Sequence, residues 1–249
     1  MEQIAGLRPV EEALRAGKRR INGIYLSADR ADSESEQLAK LALSKGVPVR
    51  KIPRDHLDRK ATISVHQGVL AVCAEYPYCS LQDILDISRQ RAEDPFILIA
   101  ANVQDPYNLG SLIRTAGETG VHGVIIPKRR AAPITPTVVK ASAGATEYMQ
   151  VARVTNLVRT VKDLKQRHVW VFAGEADGDS IYDVNLSGGI ALVVGSEGSG
   201  VPRLLTETCD GLVALPSKGS VGSLNASVAG ALLMYEVLRR RLMLDPQQS

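Results

Sequence analysis

From Phe96 onward the chain repeats one pattern: a short, largely apolar run, then a polar stretch with helical spacing, then another apolar run. The runs are 96–101, 123–126, 148–154, 168–173, 190–195 and 212–215. Between two of them, over 155–167, Leu157, Val158, Val161 and Leu164 form a single helical stripe. A strand that is apolar on both faces needs cover on both sides. Strands of this kind alternating with helices predict an α/β fold, a parallel sheet with helices on both faces.

The first third of the chain reads as a smaller α/β unit. Leu7, Val10, Ala13 and Leu14 recur at helical spacing, and Gly17 is a plausible stop. A strand is expected over 23–26, a helix over 34–45 with Leu38, Leu41 and Ala42 inward, and a strand over 47–52. A short helix is expected at 53–57, and the continuous apolar run after Gln67-Gly68 predicts a central strand. The stretch from Pro77 to Asp94 is polar, carries Arg89-Gln90-Arg91, and runs into Pro95. The expected organisation is therefore a small domain over 1–76, a partly helical linker over 77–94, and a large domain over 95–249.

Charge excludes little: the net charge of +3 is only mildly basic. It is concentrated in Lys18-Arg19-Arg20, Lys128-Arg129-Arg130 and Arg239-Arg240-Arg241, with a looser group of Lys51, Arg54, Arg59 and Lys60. Such clusters suit a nucleic-acid partner and equally suit solvated loops and helix ends. The three cysteines, Cys73, Cys79 and Cys209, lack metal spacing and suggest neither a disulfide framework nor a zinc site. No segment is apolar and long enough to span a bilayer, and the amino terminus lacks the apolar core of a signal peptide. A cytoplasmic protein without metal is expected.

Three stretches share the grammar of apolar strand, glycine-bearing polar turn and helix: 99–120, 191–205 and 215–236. In the first, Asn108 is placed to cap the following helix, Gly120 to end it, and Arg114 lies among Leu112, Ile113 and Ala116. An arginine there is ordinarily a surface residue of an amphipathic helix. In the second, Gly195, Gly198 and Gly200 give the order G-x-x-G-x-G, not the G-x-G-x-x-G of a dinucleotide fingerprint, and too late in the chain for one. Glu197 there has a plain reading as a carboxylate favoured by a helix dipole. In the third, Gly219 and Gly222 permit unusual backbone angles, and Ser220, Ser223, Asn225 and Ser227 can bond a ligand or cap a helix. Val228, Leu232, Tyr235, Leu238 and Leu242 then mark one buried face of a long helix.

Together and in this order, the three stretches resemble the three motifs of the SpoU (TrmH) family of RNA ribose 2′-O-methyltransferases, over essentially the whole chain. The resemblance implies a SPOUT-type sheet ending in a deep trefoil knot, a homodimer, and S-adenosylmethionine as cofactor. It implies an essential role for Arg114, as base toward the ribose 2′-hydroxyl or as a bidentate clamp on ribose and phosphate; a guanidinium stays protonated at ordinary pH, so both remain open. Asn108, Glu197 and Asn225 would shape the catalytic pocket, while Gly195, Leu215, Gly219, Ser223 and Leu224 would hold the cofactor. The sequence departs from the pattern after Pro216, where Ser217 and Lys218 stand in place of the common methionine. The front unit resembles the RNA substrate-binding domain of the rRNA branch, through its P-V-E-E-A-L opening and His66-Gln67-Gly68. That implies a guanosine in 23S rRNA as the target. The rivals are the same chemistry on tRNA or another rRNA site, and an RNA-binding or ribosome-assembly protein whose catalysis has lapsed.

Overall fold

The structure is a computed structural model describing residues 1–30, 32–63, 65–219 and 224–244. The chain divides into two compact units.

The first unit spans 1–77 together with 134–148. In chain order it contains β1 (Glu2–Ala5), α1 (Leu7–Ala16), β2 (Ile21–Ser27), α2 (Ser33–Ser44), β3 (Val49–Ile52), α3 (Arg54–Lys60) and β4 (Val69–Cys73). The sheet order is β1-β4-β2-β3, antiparallel except for β2 and β3. The apolar run 69–73 is thus an inner strand, as its composition predicts. Strand β1 has no counterpart in the sequence reading, because four residues carry too little periodicity. Leu57 of α3 packs with Ala5 and Leu70 on one face. The alternation of strand side chains turns the buried Ile24 and Leu26 to the other.

The second unit spans 78–133 and 149–249. It opens with α4 (Leu81–Gln90), β5 (Phe96–Ala100), α5 (Pro106–Glu118) and β6 (Gly123–Pro127). The chain then forms α6 (Pro136–Ala141) and a 3-10 turn (Ala145–Glu147), which belong to the first unit. It resumes with β7 (Val151–Val154), α7 (Leu157–Gln166), β8 (Val169–Ser180), β9 (Gly189–Val194), α8 (Arg203–Thr206), β10 (Gly211–Ala214) and α9 (Ala226–Leu244). Six strands form one sheet in the order β10-β8-β9-β5-β6-β7, every pairing parallel. Ile97, Ile99, Ala191 and Val193 face a layer holding Ile84 of α4, Val161 and Leu164 of α7, and Leu205 of α8. The opposite face is covered by α5 and α9: a Cβ on Gly230 of α9 would strike Leu112 of α5 and touch Val194 of β9.

Two boundaries differ from expectation. The stretch 77–94 is partly helical, as expected, but its helix α4 packs within the second unit. Ser80 and Asp83 close a capping box on α4, and Ile84 is fully buried against the sheet. Its polar residues lie on the solvent side, which is why composition alone suggested a connector. The segment 134–148, expected in the large domain, packs with the first unit. There Glu147 meets Arg19 at 2.5 Å, both side chains buried, and Arg19 also binds Glu2 at 2.8 Å.

Candidate functional site

Sheet order decides where a ligand can bind. The connections from β5 and β9 leave in opposite directions, toward β6 and toward β10, although the two strands are neighbours. A crevice forms at the carboxyl ends of such a pair. Residues 101–105 and 195–202 follow those two ends, and the third stretch leads there from β10.

The structure brings Asn108, Glu197 and Asn225 together. Asn108 Nδ2 donates to Glu197 Oε1 at 2.9 Å, and Asn225 Nδ2 donates to Asn108 Oδ1 at 3.0 Å and also to Glu197 Oε1. Asn225 Oδ1 accepts from the backbone N–H of Ser227 at 2.9 Å and of Val228 at 3.3 Å, and from Ser227 Oγ at 2.6 Å. One amide thus caps α9 and closes the polar cluster. Among the described residues nothing donates to Glu197 Oε2, which leaves an acceptor for a ligand. Asn108 itself is not the helix cap. Asp105 is, accepting from Tyr107 N at 3.0 Å, with Pro106 at the first helical position. Gly120, with φ +75°, follows the C-cap Thr119 as expected.

Glu197 does not sit at a helix N-terminus. It lies in a tight turn closed by Ser196 N to Gly200 O at 3.2 Å and Gly200 N to Ser196 O at 3.0 Å. A Cβ on Gly195 would collide with the backbone of Gly200 and Val201, so glycine is required for this close approach. Glu175, near the end of the apolar part of β8, accepts from Val201 N at 2.5 Å and braces the turn. No motif signals Glu175 in sequence, because its role depends on β8 lying beside β9.

The remaining residues are less tightly held. Leu215 is half-buried and Leu224 half-exposed. Gly219 is exposed, its φ is not positive, and among the described residues a Cβ there would meet Ser217 Oγ alone, at 3.9 Å. Nothing in its backbone demands glycine. Ser220, Gly222 and Ser223 lie outside the described residues. Arg114 is exposed in the third turn of α5. It is six residues past Asn108, so ~9 Å along the axis and turned ~120° from it. Among the described residues it has no hydrogen bond or ion pair, so one chain does not join it to the cluster.

The buried face of α9 also differs from expectation. Ala226, Gly230, Leu233, Met234 and Val237 are buried, whereas Val228, Leu232 and Tyr235 are 46 %, 48 % and 51 % exposed. The helix is apolar on two sides, and periodicity cannot tell which one meets the sheet. Two of the basic clusters are structural. Lys18 donates to Tyr76 Oη at 2.7 Å beside the buried Arg19. Arg239 and Arg240 pair with Glu236, and Arg241 donates to the carbonyls of Asp94, Pro95 and Gly188. Burial pushes the Cys73 thiol up to about 11 and the Cys209 thiol up to about 12, so both are idle. Among the described residues no His, Cys, Asp and Glu group could hold a metal, and no helix is long and apolar enough to cross a membrane.

Comparison with known proteins agrees with this geometry. Residues 95–235 match the SpoU rRNA Methylase family, and residues 3–79 match a domain described as RNA 2′-O ribose methyltransferase substrate binding. YacO of Bacillus subtilis (strain 168), named for the TrmH family of tRNA/rRNA methyltransferases, is 43% identical over 242 residues, covering 96% of each chain. The SpoU methyltransferase AviRb from Streptomyces viridochromogenes, solved in complex with the cofactor AdoMet, superposes with a TM-score of 0.80 at 24% identity. That match covers 96% of this chain and 90% of AviRb. A TrmH-family protein of Porphyromonas gingivalis gives 0.73 at 27% identity, over 96% and 90% of the two chains. With Asn108, Glu197 and Asn225 gathered at the carboxyl ends of β5 and β9, and its length matched by these relatives, the chain belongs to the SpoU (TrmH) family of RNA methyltransferases.

Proposed function

We propose that this protein transfers a methyl group from S-adenosylmethionine to the ribose 2′-hydroxyl of a guanosine in 23S rRNA, acting as a cytoplasmic homodimer. The observation that carries the reading is the Asn108–Glu197–Asn225 cluster, which ties the three motif stretches into one site.

The residues present fit the cofactor. Gly195, Ser196, Gly198, Ser199, Ser217 and Gly219 offer main chain with little side-chain bulk, and Leu215 and Leu224 supply apolar surface for a flat ring. The AdoMet-bound state of AviRb supports the same assignment. When bound, the cofactor supplies an electrophilic methyl group on a sulfonium. The protein's own share is to hold the acceptor oxygen in line and to manage its proton. Glu197, fixed by two amide donors, keeps the pocket in shape. Ser217 and Lys218, in place of the family's common methionine, border the same pocket.

Arg114 engages the acceptor ribose. Its separation from the cluster within one chain supports a site completed by a second copy. The exposed apolar stripe of Val228, Leu232 and Tyr235 supports a surface on which that copy docks. The knot implied by the family resemblance belongs to the same reading, with the final helix threaded through a preceding loop. The rRNA target is supported by the substrate-binding match of the front unit.

The test is transfer of labelled methyl from S-adenosylmethionine to rRNA, with mapping of the modified ribose, for wild type and Arg114→Ala. Label in a 23S guanosine that disappears in the variant is expected. Label in tRNA or in another nucleoside overturns the target and leaves the chemistry. RNA binding without transfer establishes a lapsed enzyme.

A further inference from the structure

Of the three tight basic clusters, Lys128-Arg129-Arg130 is the one whose side chains have no hydrogen bond or ion pair among the described residues. It follows the end of β6, and β7 lies directly beside it, with Ile126 opposite Arg153 and Pro127 opposite Val154. Beyond the strands the two exits stay joined: Lys128 N donates to Val154 O at 2.7 Å, and the Arg153 guanidinium donates to Lys128 O at 3.1 Å. The chain leaving β7 caps α7 with Asn156, whose side chain accepts from Arg159 N at 3.0 Å.

Around this joint lie Lys128, Arg129, Arg130, Arg159 and Lys162, all at least partly exposed. Among the described residues none of their side chains has a hydrogen bond or an acidic partner. An open hollow of about 710 Å³ lies against the start of α7, lined by Thr155, Asn156, Arg159, Thr160 and Lys162 among others. Its one acid, Asp163, is already paired with Arg167 at 2.9 Å. The positive end of the ten-residue α7 adds to the same field. Such a surface is built for a chain of phosphates. The residues lining it include no aromatic side chain for stacking, so it would grip backbone and not read bases.

We propose that the RNA strand presenting the acceptor ribose runs along the carboxyl edge of the sheet, from the β5 end over β6 to β7. Arg129, Arg130, Arg159 and Lys162 hold its phosphates. This rests on the RNA-methyltransferase reading above. Strand order supports the path, since β6 and β7 are the next neighbours of β5, whose end carries Asn108. At ~4.8 Å per strand, the ends of β6 and β7 lie ~5 and ~10 Å to the side of the β5 end.

The test uses the full-length protein with two double variants, Arg129→Glu/Arg130→Glu and Arg159→Glu/Lys162→Glu. Arg89→Glu on α4, whose carboxyl end leads to the start of β5 at the opposite edge, serves as the charge control. Binding of a fluorescein-labelled single-stranded RNA and of total bacterial rRNA is measured across a salt series, with calorimetry of S-adenosylmethionine in parallel. Each double variant is expected to weaken both RNAs at least tenfold. The log–log salt slope should fall by ~1.4, at ~0.7 for each single-strand phosphate that the protein no longer neutralises. Cofactor binding should stay unchanged, and Arg89→Glu should keep the wild-type slope. Wild-type slopes in both double variants overturn the track alone, as does an equal loss in Arg89→Glu. A wild type that binds no RNA overturns the parent reading along with it.

Discussion

At the scale of single residues, Asn225 carries the greatest load, because its amide serves a helix end with one atom and the site with the other. Asn225→Asp keeps an oxygen to cap α9 but sets a second carboxylate against Glu197. We expect a melting temperature close to wild type and a methyl-transfer rate down tenfold or more, since a hydrogen bond to a charged group is worth ~1.5–3 kcal/mol. Asn225→Ala should also lose the cap, ~1 kcal/mol, and melt earlier. Arg114→Lys separates base from clamp. Lysine keeps a positive charge but loses the planar two-pronged donor, so a clamp predicts a raised KM for RNA while a base predicts a changed pH–rate profile. Glu236 gives a residue-level pH dependence. Hydrogen bonds from Arg239, then Arg240, against a burial cost hold its carboxyl down at about 2 from an ordinary 4.5. A lowered carboxyl stabilises the fold above its unfolded value, and that contribution fades as pH falls from about 4.5 toward about 2. In acid melts, Glu236→Gln should flatten this part of the stability curve.

At the scale of elements, α9 shows how little a hydrophobic pattern says about which way a helix faces. Its inner side is narrow and small, and Gly230 lets it lie close to Leu112 and Val194. Gly230→Ala should destabilise by ~1–3 kcal/mol through overpacking, visible as a fall of several degrees in melting temperature. The outer side is the apolar row read from the sequence as buried. Leu232→Glu with Tyr235→Glu should leave the single-chain fold intact, because both residues are about half exposed. On the proposed dimer it should give monomers in light scattering and abolish methyl transfer. A dimer that survives both changes places the interface elsewhere. The helix α4 carries the complementary lesson. Its polar face carries the linker composition, while on its inner face Ile84 packs so closely that a Cβ on Gly123 would overlap it at 2.5 Å.

At the scale of the whole molecule, the chain is not two consecutive beads. The segment 134–148, between β6 and β7, is part of the first unit and supplies Glu147 to the buried Arg19. Glu147→Gln should cost up to ~3 kcal/mol in denaturant melts, since one partner of a buried pair is removed and only Glu2 remains to compensate. The proposed dimer makes a second prediction at this scale. Mixing inactive Arg114→Ala with the slowed Asn225→Asp should raise activity above that of either alone if each site draws Arg114 from the other copy; no gain on mixing would confine the site to one chain.

Read alone, the sequence determined the class of sheet, the order of strands and helices along the chain, and the three motif stretches. Those are local signals: apolar runs, helical spacing and glycine-bearing turns are written within a few residues of where they act. Asn108, Glu197 and Asn225 were candidates through the resemblance of their three stretches to the family motifs, not through local pattern alone. Only the tertiary structure decided that β9 lies against β5, which brings residues 89 positions apart to within 2.9 Å. It also decided that Glu175 braces the turn and that α9 shows its apolar row to solvent. Arg19 and Arg241 serve the fold, while Arg129 and Arg130 find no acidic partner among the described residues. Strand order, helix facing and the partner of a charge are set by long-range packing, and no local pattern encodes a neighbour that arrives from a distant part of the chain.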